Sequence, residues 1–377
     1  MLQGLSRDAL SEPLTASEKR LLGLLFRHGA LTQAQLSETT GLTQQSASRL
    51  VSGLMDKGML QEGDKVPSGK RGYPSATVRL RPDHCYSVGI SIMADAVAVT
   101  LVDFSGAVVE ERLAGLPSMS VSRVLDWLEV SLAEMSAAHV PGGVPVVGAG
   151  VGIAGSHISE GPGFNTAFSL EEWAARDLAG ILSEPLGLPV WSDNDGNLAA
   201  LGESMIGVGR WAKSFAYIYI ATGVGGGLVL NGDVWRGRHG NAGEFAGGLP
   251  PNIYPFPNLE LLRQLVVRDG GEFESVHALV GSFDPSWPAI DDWITRVRDS
   301  LSIIVSNATA ILDLDAVVLG GRIPRSLAER VIAHLDLFDQ KRRGVSRPMA
   351  RIVPAEAEGN ATALGAAILP LQETYFS

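Results

Sequence analysis

The sequence predicts an α/β protein in which a small helical module precedes a larger body of two related lobes. Three short amphipathic helix patterns, each with capping signals, follow one another within the first 83 residues. Beyond them, apolar strand patterns alternate with longer helix patterns, and the series of three strands, helix, strand and helix occurs twice. A repeat of that kind predicts two similar lobes with a cleft between them.

The length and composition favour a cytoplasmic protein of several domains. A chain of 377 residues exceeds one ordinary core and predicts two or three domains. Cys85 is the only cysteine, which excludes an internal disulfide and a zinc site built from several thiolates, so a reducing compartment fits best. Charged residues interrupt the start of the chain, and no apolar run reaches the roughly 18 residues of a membrane span. We therefore expect a cytoplasmic protein with no membrane partner.

The charge is divided unevenly along the chain. The formal net charge is −11, but residues 1–83 hold 11 basic against 8 acidic residues, and the remainder holds 19 against 33. A weakly basic module is thus joined to an acidic body. This division permits nucleic-acid binding by the module alone, whereas the acidity of the body is typical of a soluble domain.

The first two helices of the module are defined by their caps. Ser17 is the predicted N-cap of a helix rich in leucine, and Gly29 marks its end. Thr32 and Gln35 form a capping-box pattern at the start of a second helix, which Gly41 closes. A short helix that leads into a tight turn is typical of a helix-turn-helix unit.

The third helix has one apolar face and one polar face. Thr43 is its predicted N-cap. The inward face is formed by Ala47, Leu50, Val51 and Leu54. The polar face includes the residues that we predict to contact DNA, namely Gln44, Gln45, Ser46, Ser48 and Arg49. Because glutamine can bond adenine and arginine can bond guanine or phosphate, this is a candidate recognition helix for the major groove.

A basic wing follows the third helix. Residues 59–80 predict two short strands around a flexible glycine-rich segment, residues 63–72. Lys65, Lys70 and Arg71 lie in that segment, where they would contact phosphates or a minor groove. A packing or dimerisation module is the alternative for a three-helix pattern, and the basic wing favours DNA binding instead. Residues 82–83 predict a hinge to the body.

The body repeats one series of elements. In the first lobe we predict strands over residues 86–93, 96–103, 108–113, 144–153 and 189–192, with helices over 120–138 and ending near 186. In the second lobe a helix begins near Gly196, and strands are predicted over residues 215–220, 227–230 and 316–319. Helices over residues 289–312 and 361–371 complete the chain.

Three polar or glycine-rich motifs occur in the body: Asn194-Asp195-Gly196-Asn197, the glycine-rich run over residues 221–227, and Ala242-Gly243-Glu244. With them, the chain resembles the ROK family (repressors, open reading frames and sugar kinases), in its DNA-binding branch, from about Glu18 onward. The resemblance implies a winged helix-turn-helix followed by a two-lobed actin-like sugar-kinase fold, which is a duplicated ribonuclease H-like fold. We expect domains at residues 1–83, 84–194 and 195–377, with the last helix returning to the first lobe.

The resemblance also implies residues for a ligand site. Asp195 matches the base that takes the proton of the attacking sugar hydroxyl in the kinases, Asn194 a sugar donor, and Glu244 a sugar-hydroxyl acceptor. Capping of the following helix is the alternative for Asn194 and Asp195, and it can coexist with ligand binding. Further candidates for ligand contact are Ser169, in place of the asparagine of a family sugar motif, Asn165 upstream, and His239.

Two departures from the family pattern bear on catalysis and on metal binding. Residues 89–93 replace the Asp-x-Gly-Gly-Thr loop of the kinases, and Ile90 and Met93 make a poor cradle for phosphate. Gly247 stands in place of the family's zinc-binding histidine, and residues 248–259 contain no cysteine or histidine. We therefore predict no kinase activity, no metal and no cofactor.

The sequence thus predicts a cytosolic, sugar-responsive DNA-binding regulator, and we expect a repressor. Its predicted partners are operator DNA, a sugar or sugar-derivative effector, and other copies of the chain in a homodimer or a dimer of dimers. Two other hypotheses stay open. One is a sugar kinase with a DNA-binding appendage, which the retained Asp195 favours. The other is a regulator without a small ligand, whose cleft docks a protein.

Overall fold

The N-terminal module is a winged helix-turn-helix. The computed structural model describes residues 13–66, 75–158, 161–250, 252–339 and 343–376. The module contains, in order, α1 (Ala16–His28), β1 (Ala30–Thr32), α2 (Gln33–Thr40), α3 (Gln44–Asp56), β2 (Leu60–Val66) and β3 (Ser75–Leu80). Its strands form an antiparallel sheet in the order β1-β3-β2. The three helices and the two wing strands agree with the sequence prediction. Strand β1 was not predicted, because three residues are too few to show an alternating pattern.

The helix caps explain where α1 and α2 begin. Thr32 and Gln35 form the predicted capping box: the Gln35 amide donates to Thr32 Oγ1 at 3.2 Å, and the Thr32 amide donates to Gln35 Oε1 at 2.8 Å. The prediction that Ser17 caps α1 is wrong. Thr15 caps it instead, because Glu18 three residues later completes a capping box around that position.

Strand β2 of the wing extends further than the sequence predicts. Residues 63–66, which we expected in the flexible segment, belong to β2. The pairing of β2 with β3 shifts register between Glu62 and Lys65, and such an irregularity lets a strand continue past an extra residue. Lys65 is exposed near the end of β2, whereas Lys70 and Arg71 lie outside the described residues.

The first lobe is built on a five-stranded mixed sheet. Its elements are β4 (Tyr86–Ile92), β5 (Val97–Asp103), β6 (Val108–Ala114), α4 (Val121–His139), β7 (Val146–Ile153), β8 (Gly155–His157), β9 (Phe164–Thr166), α5 (Leu178–Leu186) and β10 (Val190–Asn194). The sheet order is β10-β7-β4-β5-β6. Strands β10, β7 and β4 are parallel, and β4, β5 and β6 are antiparallel. Strands β8 and β9 form a separate antiparallel pair.

The second lobe contains another five-stranded sheet. Its elements are α6 (Asp195–Ile206), β11 (Phe215–Ile220), β12 (Val224–Leu230), β13 (Asp233–Val234), α7 (Leu259–Arg268), α8 (Val276–Gly281), α9 (Ala289–Leu312), β14 (Ala316–Gly321), α10 (Arg325–Ile332), β15 (Arg351–Pro354) and α11 (Ala361–Tyr375). The sheet order is β13-β12-β11-β14-β15. Strands β11, β14 and β15 are parallel, and β11, β12 and β13 are antiparallel.

The two sheets share one topology. In each, the first three strands of the lobe form an antiparallel meander, and the fourth and fifth strands add in parallel on the other side of the first. This repeat confirms the two-lobed, duplicated fold that the sequence predicts. The elements α7, α8, α10 and β15 were not predicted.

Two buried helices, α6 and α11, pack against each other where the lobes meet. A Cβ on Gly365 would lie 1.7 Å from the carbonyl oxygen of Leu198, so only glycine lets the two backbones approach this closely. Helix α11 also lies against the first-lobe sheet, because a Cβ on Gly89 would lie 1.8 Å from the carbonyl oxygen of Ala363. Helix α11 thus follows second-lobe strands in the sequence and packs on the first lobe. The boundaries at residues 83/84 and 194/195 stay predictions.

One hydrophobic cluster joins the N-terminal module to the body. It includes Phe26 of α1, Met205 of α6 and Phe376 after α11. The rings of Phe26 and Phe376 are 4.7 Å apart between centroids. Where a hinge was predicted, a 3-10 turn begins at Pro82, and the Pro82 carbonyl accepts a hydrogen bond from the Phe104 amide at 3.1 Å. The module is therefore packed on the body through a common core.

Candidate functional site

Helix α3 presents a polar surface to solvent. Thr43 caps it as predicted, accepting a hydrogen bond from the Ser46 amide at 3.2 Å. The Thr43 hydroxyl also donates to Ser46 Oγ at 2.9 Å, so the Ser46 side chain takes part in the cap. The predicted DNA contacts on this helix are all exposed: Gln44, Gln45, Ser46, Ser48 and Arg49. Burial of the opposite face fixes the helix in the module, so its polar face can enter a groove.

A cleft of about 330 Å³ lies between the two lobes. Its walls combine three parts of the chain: the β4–β5 turn with the end of β7, the start of α6, and the turn between β11 and β12 with the loop that carries Glu244. The cleft therefore lies at corresponding ends of both sheets. Its volume is at the lower end of the range for small-molecule sites.

Asp195 and Asn194 lie at the floor of the cleft, at the start of α6. Asn194 caps this helix, since its Oδ1 accepts from the amides of Gly196 and Asn197 at 2.8 and 3.2 Å. Its Nδ2 donates to the carbonyl of Gly155 at 2.6 Å. Asn194 therefore caps α6 and also lines the cleft. Burial raises the pKa of Asp195 to about 7, and the charge of Glu244 adds to this shift, although an amide hydrogen bond opposes it.

Glu244 lines the cleft together with Asp195 and lies near enough for its charge to act on that carboxyl. Burial raises the pKa of Glu244, while the nearby His157 acts in the opposite direction. Among the described residues, no hydrogen bond or salt bridge engages its carboxylate. The hydroxyl of Thr222, which also lines the cleft, is buried and has no hydrogen-bond partner among those residues. Acceptors of this kind suit a ligand rich in hydroxyl groups.

The glycine-rich run over residues 221–227 closes one wall of the cleft. A Cβ on Gly196 would lie 2.4 Å from the carbonyl oxygen of Gly226, so the first turn of α6 rests directly on the backbone of β12. This contact brings the Asp195 carboxylate beside the loop that precedes β12. The two motifs are therefore adjacent because both lack side chains at the point of contact.

Three predicted ligand residues lie outside this cleft. Ser169 belongs to an exposed 3-10 segment, and Asn165 lies on β9 with its side chain exposed. Ala167, between them, is the residue that lines the cleft. His239 is exposed in the loop before Glu244. The structure thus brings together Asn194, Asp195 and Glu244 of the predicted set, and it does not bring Ser169, Asn165 or His239 to them.

A network of polar side chains around the buried Asp193, next to the cleft, was not predicted. Asp193 Oδ2 accepts a hydrogen bond from Arg236 Nε at 2.6 Å. Asp193 Oδ1 accepts a hydrogen bond from Asn197 Nδ2 at 2.9 Å and lies 3.2 Å from His157 Nε2. Burial alone would raise the pKa of Asp193, but the His157 hydrogen bond and the Arg236 charge outweigh it and lower the pKa. Asp193 stands directly before the motif that begins at Asn194, which is the one local signal for it.

Asn241 adds a second link between the lobes. Its Oδ1 accepts from the His157 amide at 2.7 Å, and its Nδ2 donates to the His157 carbonyl at 2.9 Å. Together with the Arg236 contact to Asp193, this pair anchors the loop that carries Glu244 to the first lobe. Asn241 and Arg236 therefore position Glu244 without touching the cleft themselves.

The opposite corner of the cleft is held by an ion pair. Arg322, which follows β14 and lines the cleft, pairs with Asp95 in the β4–β5 turn. The Asp95 Oδ2 also accepts a hydrogen bond from the His277 amide of α8 at 2.7 Å. Met93 and Ala94 of the same turn face the cleft. This corner thus offers two apolar side chains and an arginine whose charge is offset by Asp95.

The described ranges bear on metal binding and on membrane insertion. No group of three or more histidine, cysteine or acidic side chains there is arranged to hold a metal ion. No helix there is both long and apolar enough to cross a membrane.

Two family models match separate parts of the chain. Residues 87–252 match the ROK family, and residues 12–72 match the MarR family. The first match includes the cleft-lining residues from Met93 to Glu244, and the second includes α1, α2 and α3.

Two curated relatives align with the chain over different lengths. An uncharacterised protein of Sinorhizobium fredii, y4fQ, is 28% identical over 373 residues, which are 97% of this chain and 93% of that protein. The xylose repressor of Bacillus subtilis is 28% identical over 233 residues, which are 60% of this chain and 59% of the repressor. The aligned region thus spans less than two thirds of the repressor.

Solved structures share the fold. The crystal structure of a ROK family transcriptional regulator, a homologue of the E. coli MLC protein, has a TM-score of 0.65 and 19% identity, with 96% of each chain covered. The ROK family glucokinase of Streptomyces griseus, in complex with glucose and AMPPNP, has a TM-score of 0.59 and 21% identity over 75% of this chain and 98% of the glucokinase. At these identities the likeness concerns the fold.

Proposed function

We propose that the chain is a sugar-responsive transcriptional regulator, because residues 87–252 match the ROK family and residues 12–72 match the MarR family. The observation that carries this proposal is the presence, in one chain, of an exposed polar helix, α3, and an interlobe cleft lined by Asp195 and Glu244, which form no salt bridge with any described residue. The similarity to xylose repressors supports repression as the sign of regulation. Its place of action is then the cytoplasm, where the DNA is.

The chemistry of the cleft favours a neutral sugar as effector. Asp195 and Glu244 can accept hydrogen bonds from ligand hydroxyls, and the Thr222 hydroxyl can donate or accept one. The apolar side of a sugar ring can rest on Met93 and Ala94. Isothermal titration with D-xylose, D-glucose and N-acetyl-D-glucosamine tests this step, and a failure of all three would favour the hypothesis of a regulator without a small ligand.

Operator binding completes the function. DNA fragments selected by the purified protein from a genomic library provide the operator, and a filter-binding or fluorescence assay gives its dissociation constant. We expect the sugar that binds in the titration to raise this constant. Operator affinity that no bound sugar changes would contradict a sugar-responsive regulator. Because a dimer reads two half-sites about one helical turn, roughly 34 to 36 Å, apart, we further propose a homodimer on a palindromic operator.

A sugar kinase is the second candidate function, and one observation favours it. Asp195 has a pKa raised to about 7 by burial, and a carboxylate with a pKa near the working pH is suited to act as a general base. The β4–β5 turn argues against it. Met93 and Ala94 line the corner where phosphates would enter, and Arg322, which also lines it, is already paired with Asp95. We therefore propose a non-catalytic cleft.

An ATP-consumption assay with the same three sugars separates the two candidates. We expect consumption equal to that of the Asp195→Asn variant and of protein-free buffer. Sugar-dependent consumption that Asp195→Asn abolishes would promote the kinase function, because it would show that nucleotide still enters despite Met93 and Asp95.

A further inference from the structure

Two elements that line the cleft also reach the DNA-binding module at their far ends. Helix α6 starts at the cleft with Asp195 and ends near Met205, about 15 Å away at 1.5 Å per residue. Strand β12 starts at the cleft with Val224 and leads into the turn at Gly232. Each element thus has one end at the proposed effector site and the other at the surface on which α1 docks.

Helix α6 is packed tightly on both β12 and α11. Helix α6 is buried over nearly its whole length. Its first turn rests on the β12 backbone at Gly226, and its middle rests on the α11 backbone at Gly365, with no room for even a Cβ at these contacts. Close-packed interfaces of this kind move as rigid units or switch between discrete arrangements. A shift at the cleft end of α6 is therefore carried to Met205.

A single side chain of the DNA-binding module contacts both far ends. Arg27, at the end of α1, donates from Nε to the Met205 sulfur at 3.5 Å and from Nη2 to the Gly232 carbonyl at 3.0 Å. The backbone of the same residue is held as well, since Arg210 Nε donates to the Arg27 carbonyl at 3.3 Å. Arg27 is a cation of the DNA-binding module that faces the body, where burial lowers its pKa.

An apolar contact beside Arg27 provides a fixed point. Phe26 packs on Phe376, and its ring also fills the space next to Gly106, where a Cβ would lie 2.5 Å from the ring. Gly106 has a φ of +80°, in the region that favours glycine. Phe26 thus anchors the module to the first lobe and α11. Arg27, one residue later, bridges α6 and the turn after β12.

We propose that Arg27 couples the effector cleft to the DNA-binding module. A ligand held in the cleft between the two lobes moves α6 and β12 together relative to the first lobe, which moves the two partners of Arg27, Met205 and Gly232, relative to Phe26. The end of α1 then turns about the Phe26 anchor and alters the presentation of α3. A ligand can shift such an equilibrium only by binding its two states unequally, and Arg27 is the contact that makes the DNA-binding module sensitive to the difference. This coupling rests on the proposed function.

The test is an Arg27→Met variant, which keeps an unbranched apolar stem and removes the charge and the donors of the side chain. Arg20→Met, at an exposed position on the same helix, is the matched control. Three constants are measured for each full-length variant: sugar affinity of the free protein, operator affinity without sugar, and operator affinity with saturating sugar. The sugar is whichever of D-xylose, D-glucose and N-acetyl-D-glucosamine gives the strongest titration with the unmodified chain.

We expect Arg27→Met to leave sugar affinity within about twofold and to reduce the effect of sugar on operator affinity by at least about fivefold, the lower end of usual coupling factors. Arg20→Met should keep the full effect. An unchanged ratio of the two operator constants in Arg27→Met would overturn the inference. If Arg27→Met does not fold, Met205→Leu removes one acceptor of Arg27 at nearly constant volume, and an unchanged ratio there would overturn it equally.

These results are distinguishable from a failure of the proposed function. An unmodified chain that binds none of the three sugars, or no DNA, contradicts the regulator itself. An unmodified chain in which sugar weakens operator binding, together with an Arg27→Met variant that responds to sugar equally, contradicts only the role of Arg27.

Discussion

Asp195 and Glu244 are two acids that share the cleft, and no salt bridge within the described residues neutralises either. Burial raises the pKa of both. Such groups are costly to a folded chain, because water solvates a carboxylate better than a protein interior does. A ligand that donates hydrogen bonds to them recovers part of this cost. Their position in the cleft is therefore consistent with the recognition of hydroxyl groups that we propose.

Removing either charge should weaken effector binding. A hydrogen bond to a charged group contributes about 1.5 to 3 kcal/mol, so Asp195→Asn or Glu244→Gln should raise the sugar dissociation constant by roughly ten- to a hundredfold. Calorimetric titration measures this change, and Glu171→Gln, at an exposed position, is the control. Operator affinity without sugar should stay the same. Sugar affinities equal to those of the unmodified chain would remove both acids from the proposed site.

Asp195 should also make stability depend on pH. The carboxyl ionises near pH 7 in the folded chain and near about 3.9 in the unfolded chain. Between these values the folded state holds a proton that the unfolded state has released, so stability falls as pH rises. The Asp195→Asn variant has no carboxyl group at this position, so it does not lose stability in this way as pH rises. Its melting temperature relative to the unmodified chain should rise from pH 4 to pH 7 and level off above; an equal difference at pH 5 and pH 8 would contradict the shift.

Among the elements, α3 carries the prediction on DNA. Gln44, Gln45 and Arg49 point away from the buried stripe, so replacing all three with alanine should abolish specific operator binding and spare folding and sugar affinity. Ser52→Ala, on an exposed position one turn later, is the control. Operator affinity and thermal stability are both measured for the triple variant and for the control. Normal operator affinity in the triple variant would show that α3 is not the recognition helix.

The elements also show what the sequence could and could not predict. Helix α9 was predicted over residues 289–312, with the observed bounds, because a long amphipathic pattern has a clear period. Strand β1 and helix α8 are too short to show one. The same limit applies to the site. Asn194, Asp195 and Glu244 belong to motifs that stand out locally, whereas the contacts of Asp193 with His157 and Arg236 join residues 36 and 43 positions apart.

For the whole molecule, the sequence and the structure bear on metal content. Cys85 is fully buried, and burial raises its pKa, so it cannot readily supply a thiolate. We therefore expect the purified protein to hold no stoichiometric zinc, which elemental analysis after dialysis against a weak chelator measures. One zinc per chain retained through that dialysis would mean that histidine and carboxylate ligands from elsewhere form a site.

The common core of the module and the body has a consequence for biosynthesis. Phe26 belongs to a domain that leaves the ribosome early, but its partner Phe376 is synthesised roughly 350 positions later. During elongation the recognition helix can therefore be complete while the surface that orients it does not yet exist. A nascent chain could meet DNA in this interval without any response to sugar, so control by the effector begins only when α11 has been made and docked.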